Sequence, residues 1–341
     1  MNTKMVCSKL GVTSKMLRLY EEHGLVCPDR KENNYREYSP EDLLQIETIT
    51  VLRHLGFSIS EIKEILVFDK TEDKRLNMFY LQYKAVEEQI VEMQKAGTAL
   101  RRTINKFMGD WGCESLTDII LDEHEKRYRR IDYEGLVNSW DFDEMASNFN
   151  NRYLNEDYEY QRTVGRIRDI IGDPGSRSFI DIGCGTCNIW QDYGYRLELV
   201  AVDKSLPMLL ESRKKIPWLD VRMDDILTID HREYARYDVV VSAFVIHHIE
   251  PNDQYKAIDN ILELCRENGC ILLADRCFRS KRDRTAEEDR LREKNDIEGL
   301  DKLNSEYFIY ADEMHKYLCM KQYDVVTEYI DDNIVLYIIK K

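Results

Sequence analysis

Residues 179–187, Phe-Ile-Asp-Ile-Gly-Cys-Gly-Thr-Cys, run an apolar strand into a turn holding Gly183 and Gly185, and Asp203 closes a second apolar strand 20 residues after Gly183. Glycines at such a turn let the backbone approach a ligand with no Cβ in the way, and the later carboxylate accepts hydrogen bonds from ribose hydroxyls. A chain with this order is confined to a parallel α/β architecture built around a nucleotide-type site. The surrounding pattern agrees. Apolar runs at 177–182, 197–202, 219–223, 237–243 and 269–275 alternate with helical stretches, as a doubly wound sheet requires. Two further runs, 323–330 and 333–339, are separated only by Asp331-Asp332, too short for a crossover, so they form an antiparallel hairpin at one edge. A Rossmann-like domain of seven strands is expected over residues 137–341.

The other end of the chain reads differently. Val6 to Leu10 makes a short helix, Gly11 breaks it, and Thr13 caps a second helix from Ser14 to Glu22 that stops at His23-Gly24. This is helix-turn-helix spacing. Pro28 to Tyr38 is polar, with Asn33-Asn34 as turn residues, and reads as a hairpin or wing. Ser39-Pro40-Glu41-Asp42 opens a helix that ends at Gly56, and Ser58 with Glu61 is a capping box for a last short helix through Leu66. Beyond it, Phe79, Tyr83, Val86, Ile90, Met93, Gly97, Leu100, Ile104 and Phe107 alternate at spacings of four and three, a coiled-coil seam. The chain is therefore multidomain: an all-α winged helix-turn-helix (1–70), a long coiled-coil dimerisation helix (71–108) whose residues 76–107 pair two copies, a linker (109–136), then the α/β domain.

The net charge of −15 argues at first against a nucleic-acid partner. Residues 1–70, however, hold 10 Lys+Arg against 11 Asp+Glu, so nearly all of the excess lies beyond them. Lys9, Lys15, Arg18, Arg30, Lys31 and Arg36 cluster in the turns and helix that would meet DNA. No apolar run reaches the roughly 20 residues of a membrane span, and the opening residues lack a signal peptide's apolar core, so a cytoplasmic protein is expected. Nine scattered cysteines fit reduced thiols better than a disulfide framework. Cys184 and Cys187 form the one C-x-x-C pair, inside the glycine turn, where small packing residues are the simpler reading than zinc or redox.

A nicotinamide fingerprint wants a third glycine where this chain has Asn188, and no Gly-Lys-Ser or Gly-Lys-Thr follows the turn. Asp181, two residues before the first glycine, suits a cationic ligand bearing an amino group, and S-adenosylmethionine is such a ligand. The order of features resembles the class I S-adenosylmethionine-dependent methyltransferases. Asp181-Ile182-Gly183-Cys184-Gly185-Thr186-Cys187 matches their first motif except at its last glycine, here Cys187. The resemblance implies that Asp203, followed by Lys204, holds the ribose and that Asp224-Asp225-Ile226 holds the adenine amino group. It further implies that the stretch from Ser242 and Ala243 to Ile249 lies beside the sulfonium. If the family glycine is needed for a positive φ or to clear the methionine moiety, Cys187 costs affinity, ~1–3 kcal/mol. The Asp- or Asn-Pro-Pro-aromatic motif of base-methylating members is replaced by Ser242-Ala243-Phe244-Val245, which points to a small-molecule methyl acceptor. His248 is the candidate general base, a histidine that packs and caps the next helix being the plainer alternative. Trp140, Phe142, Phe149 and Tyr153 form a lid or pack in the core.

Residues 5–66 resemble the winged-helix DNA-binding domain of the MerR family of bacterial regulators. The likeness is carried by the run from Val6 to Val26, Pro28-Asp29-Arg30, the wing Tyr35-Arg36-Glu37-Tyr38 and Leu55-Gly56-Phe57. It implies that Arg18 and Tyr20 on the second helix, Tyr35 and Arg36 on the wing, and Ser14 and Lys15 at the start of the recognition helix grip double-stranded promoter DNA. It also implies an antiparallel homodimer through the long seam. Metal-sensing members use cysteines near the end of that helix. Here only Cys113 lies nearby, so no metal is expected. The resulting expectation is a transcriptional regulator with an appended methyltransferase enzyme. The alternatives are a sensor that binds cofactor or a metabolite without turnover, and an enzyme whose first part only dimerises it.

Overall fold

The computed structural model describes residues 1–30, 35–66, 72–109, 142–150, 157–175, 177–194 and 197–341. The chain divides into two compact units, Met1–Glu123 and His124–Lys341. The expected linker beyond Gly109, together with Lys31, Asn33, Asn34, Cys113, Trp140 and Tyr153, lies outside the described residues.

In the first unit α1 (Thr3–Leu10) starts three residues earlier than expected, because Asn2 accepts from the Met5 N–H and caps it. Gly11 ends α1 at φ +67, and Thr13 caps α2 (Ser14–Glu22) through the Met16 N–H. The wing is a two-residue pair, β1 (Asp29–Arg30) against β2 (Arg36–Glu37), antiparallel. A reciprocal Ser39/Asp42 capping box opens α3 (Pro40–His54), and Ser58 with Glu61 opens α4 (Ile59–Leu66). Val6, Leu17, Tyr20, Ile46, Ile49 and Ile62 fill the core between these helices. α5 (Glu72–Gly109) is docked at its start by an edge-to-face contact of Phe79 with Phe57 and by Gln82 donating to the Leu55 carbonyl. The seam residues Phe79, Tyr83, Val86, Ile90 and Met93 remain exposed on it. The side chains of Leu100, Ile104 and Phe107 lie outside the described set.

The second unit is a sheet in the order β5-β4-β3-β6-β7-β10-β9. Its strands are β3 (Ser178–Ile182), β4 (Glu198–Asp203), β5 (Asp220–Met223), β6 (Tyr237–Ala243), β7 (Cys265–Phe278), β9 (Asp324–Asp331) and β10 (Ile334–Lys340). The first five pair in parallel, while β10 runs antiparallel to both β7 and β9, so the terminal hairpin closes the sheet as the two-residue loop requires. The short β8 (Ile309–Tyr310), absent from the expected pattern, pairs with the end of β7 after a helical insertion over Lys281–Glu293 and Ile297–Asn304. Two apolar clusters cover the two faces of the sheet, one with Ile180, Val240 and Leu273, the other with Phe179, Val241 and Leu336. The order reverses between β3 and β6, and a crevice opens there beyond the carboxyl ends of the strands. Among the described residues no helix is long and apolar enough to cross a membrane.

Candidate functional site

The crevice is a cavity of about 300 Å³ bounded by the turns after β3, β4, β5 and β6. The turn after β3 is stitched to β4 by the Gly183 and Cys184 N–H groups, which both donate to the Val202 carbonyl, at 2.8 and 3.0 Å. Gly183 adopts φ +70, and a Cβ there would lie 2.2 Å from Val245 Cγ2. The loop after β6 thus occupies the space a side chain would need, a packing reason for glycine as well as a conformational one. Asp203 ends β4 with its Oδ2 accepting from the Gly185 N–H at 2.8 Å and its Oδ1 from the Ser205 N–H at 2.9 Å. Burial raises its pKa despite these bonds.

Asp181 is buried and lines the crevice, and its Oδ2 accepts from Trp190 Nε1 at 2.7 Å. Burial, reinforced by the negative charge of Asp203 and opposed by the indole N–H, pushes it up to about 7. Asp224 accepts from the Tyr234 hydroxyl and the Asp225 N–H, while Asp225 accepts from the Leu227 N–H, which fixes the β5 turn around Ile226. Gly183, Cys184, Gly185, Lys204, Asp224, Asp225, Ile226 and Ala243 all line the crevice.

Around the crevice, the roles expected of Ser242 and Cys187 change. Ser242 does not line the cavity; it is wholly buried in β6 opposite Leu273, one residue short of the strand end, where Ala243 takes the open position. Cys187 does keep a positive φ, +56, but its side chain packs in the sheet core and is absent from the cavity lining. The substitution therefore costs backbone strain, of order 1 kcal/mol, rather than a clash with a ligand.

A smaller chamber adjoins the crevice, sharing Phe142, Phe149, Tyr160, Phe244 and His248 with it. Phe142 meets His248 edge-on, and Tyr160 leans on Phe244 at 5.3 Å. Asp143 accepts from Ser205 Oγ at 2.6 Å, tying this aromatic flap to the β4 turn. The general-base role given to His248 does not suit its surroundings. Burial, then the neighbouring His247, Lys204 and Arg276, push its pKa down to about 2, too weakly basic to hold a proton near neutrality. Its neighbour is better placed. His247 Nδ1 lies 2.5 Å from Asp275 Oδ1, and Asp275 also accepts from the Val245, Ile246 and Arg276 N–H groups. A fully bonded carboxylate holds the imidazole with Nε2 as the nitrogen able to take a proton, and His247 lines the chamber. Glu306 and Arg276, both on the chamber wall, carry no motif and went unforeseen.

On the first unit, Ser14, Lys15 and Arg18 share the exposed face of α2. Tyr20 does not join them. It is 1% exposed and belongs to the core with Leu17, about 200° around the helix from Arg18. Tyr35 is exposed on the wing, and Arg36 is half-buried, its Nε donating to Glu21 Oε2 at 2.6 Å beside the Arg30 pair with the same carboxylate. Glu21 thus holds the wing against α2.

Comparison with known proteins agrees with the division into two units. Residues 1–67 match the family model described as MerR HTH family regulatory protein, and residues 43–103 that described as MerR, DNA binding. Residues 180–271 match a methyltransferase domain. The chain is 33% identical over 114 residues, 32% of its own length and 75% of the relative's, to heavy metal-dependent transcription regulator 2 of Rhizobium meliloti (strain 1021). It is 22% identical over 181 residues, 51% of its length and 83% of the relative's, to an uncharacterized methyltransferase of Alkaliphilus oremlandii (strain OhILAs). Among solved structures, the N-methyltransferase NodS from Bradyrhizobium japonicum WM9 with S-adenosyl-l-homocysteine is similar over 59% of this chain and 96% of that one, at 13% identity and a TM-score of 0.43.

Proposed function

Because the chain belongs to the MerR family of helix-turn-helix regulators and carries a methyltransferase domain behind that module, we propose that it is a homodimeric, promoter-binding regulator whose second unit binds S-adenosylmethionine and methylates a small molecule. The observation that carries the cofactor reading is Asp203. Each of its oxygens takes one backbone N–H and keeps a further lone pair, so the carboxylate is fixed and still able to accept from two ribose hydroxyls. Asp181 would hold the ammonium end, and the backbone of Asp225-Ile226 would meet the adenine edge. When bound, the cofactor supplies a methyl group on a cationic sulfur. The protein's part is alignment and exclusion of water by the aromatic flap, effects worth more here than proton chemistry.

Calorimetric titration with S-adenosylmethionine tests this. Micromolar binding is expected for the wild type and at least tenfold weaker binding for Asp203→Ala, corresponding to the ~1.5–3 kcal/mol of hydrogen bonds to a charged group. Equal affinity in the two proteins would remove the cofactor reading.

For DNA, the exposed face of α2 with Arg18 at its centre supports major-groove entry, and the exposed α5 seam supports pairing of two chains. Arg18→Ala is expected to weaken binding to duplexes enriched from a random pool by the wild type at least tenfold, with the sedimentation coefficient of the dimer unchanged. Tyr20→Phe should leave that affinity within twofold. A larger loss for Tyr20→Phe than for Arg18→Ala would invert the assignment.

A further inference from the structure

The chamber beside the crevice holds an unsatisfied carboxyl oxygen. Glu306 is 4% exposed, and its Oε2 has no hydrogen-bond partner among the described residues. Among the described residues its cationic neighbour is Arg276, which stands 3.9 Å away at Nε, beyond hydrogen-bond range, and is shared with Asp157 at 3.7 Å. Glu159 also lines the chamber, so its wall carries three carboxylates against one guanidinium, which is faced by two of them. Leaving a buried carboxylate oxygen without a donor is costly, and such a group in a cavity wall marks a place that a ligand completes. The walls also carry the rings of Phe142, Phe149, Tyr160 and Phe244, and aromatic π faces attract a cation.

We propose that the methyl acceptor is a small primary or secondary amine, bound as its ammonium ion against Glu306 and the aromatic walls and deprotonated by His247. The inference rests on the methyltransferase reading above. The ammonium N–H donates to Glu306 Oε2, and one proton passes to His247 Nε2, where Asp275 stabilises the imidazolium through Nδ1. The freed nitrogen lone pair forms the N–C bond to the methyl carbon as the C–S bond breaks, its electron pair staying on sulfur. The products are the methylated ammonium ion and the neutral thioether, and the proton on His247 leaves to water. Arg276, already faced by two carboxylates, sets the position of Glu306 rather than attracting an anion.

Benzylamine, benzyl alcohol and benzoate form a matched set that differs only in the charge and donors of the polar group. Titrated by calorimetry into the full-length protein saturated with S-adenosylhomocysteine, benzylamine is expected to bind at least tenfold more tightly than the other two. Glu306→Gln should remove that preference while leaving the affinity for S-adenosylhomocysteine within twofold. His247→Asn should leave benzylamine binding within threefold and lower turnover at least a hundredfold. Preference for benzoate or benzyl alcohol, or a Glu306→Gln protein that keeps the amine preference, overturns the proposal while the cofactor reading stands. Wild-type protein that does not bind S-adenosylhomocysteine overturns the reading beneath it, and the acceptor assignment with it.

Discussion

Gly183→Ala is expected to abolish measurable cofactor binding and to lower the unfolding midpoint of the second unit by about 5–10 °C. Two separate costs combine. An alanine held at φ +70 costs ~1 kcal/mol, and its Cβ would sit 2.2 Å from Val245 Cγ2, an overlap relieved only by shifting Val245 or the turn, at ~1–3 kcal/mol. For a unit of this size each kcal/mol moves the midpoint by roughly 2–4 °C. Both Val245 and the turn that carries the Gly185 N–H to Asp203 line the crevice, so the site distorts along with the fold. The costs can be separated. Gly183→Ala with Val245→Ala should recover the steric part and leave the conformational part. Gly185→Ala, at φ +52 but with nothing within 4 Å of its Cβ, should show the conformational part alone. A Gly183→Ala protein with wild-type unfolding and binding would show that Val245 does not press on the turn.

Affinity for S-adenosylmethionine should rise about tenfold per pH unit below pH 7 and level off above it, because the ammonium group of the ligand needs an ionised Asp181. The same carboxyl makes the ligand-free protein less stable over that range. Its folded pKa, about 7, lies above the ordinary 3.8, so the folded state binds the extra proton. That contribution to stability is complete below about pH 4 and is lost as pH rises to 7. Asp181→Asn keeps an acceptor for Trp190 Nε1 and removes the buried charge. It should therefore unfold at a higher temperature than the wild type at pH 8, show no pH dependence of affinity between 5 and 7, and bind at least tenfold more weakly. A variant that loses affinity but gains no stability at pH 8 would show that burial does not penalise this carboxylate.

Much of this was legible before any coordinates. Periodicity placed α2, α3, α4 and the alternating strands, because caps and apolar spacing are local signals, and the two-residue gap at Asp331-Asp332 dictated the antiparallel edge. The failures share a cause: they depend on what arrives from elsewhere in the chain. Adjacent histidines cannot be ranked by sequence, yet pairing of β6 with β7 puts Asp275 against His247 and leaves His248 with cationic neighbours. Tyr20 falls in a DNA-reading helix, but its position on the far side from Arg18 sends it inward. Glu306 comes at the end of a helical insertion and reaches the chamber only through tertiary packing, so no spacing rule could find it.

β10 lies between β7 and β9, yet it follows every other strand in chain order. During translation, then, the sheet lacks an inner strand until Ile334–Lys340 has left the ribosome, and the edge of β7 that it covers stays unpaired until then. The Asn268 N–H to Lys341 carbonyl bond, and the Lys341 N–H to Gly269 carbonyl bond, form later still. The core between α1 and α4 needs nothing from that end of the chain. A nascent chain can therefore complete its DNA-reading module well before its methyltransferase unit, whose sheet closes only when Ile334–Lys340 is available to pair.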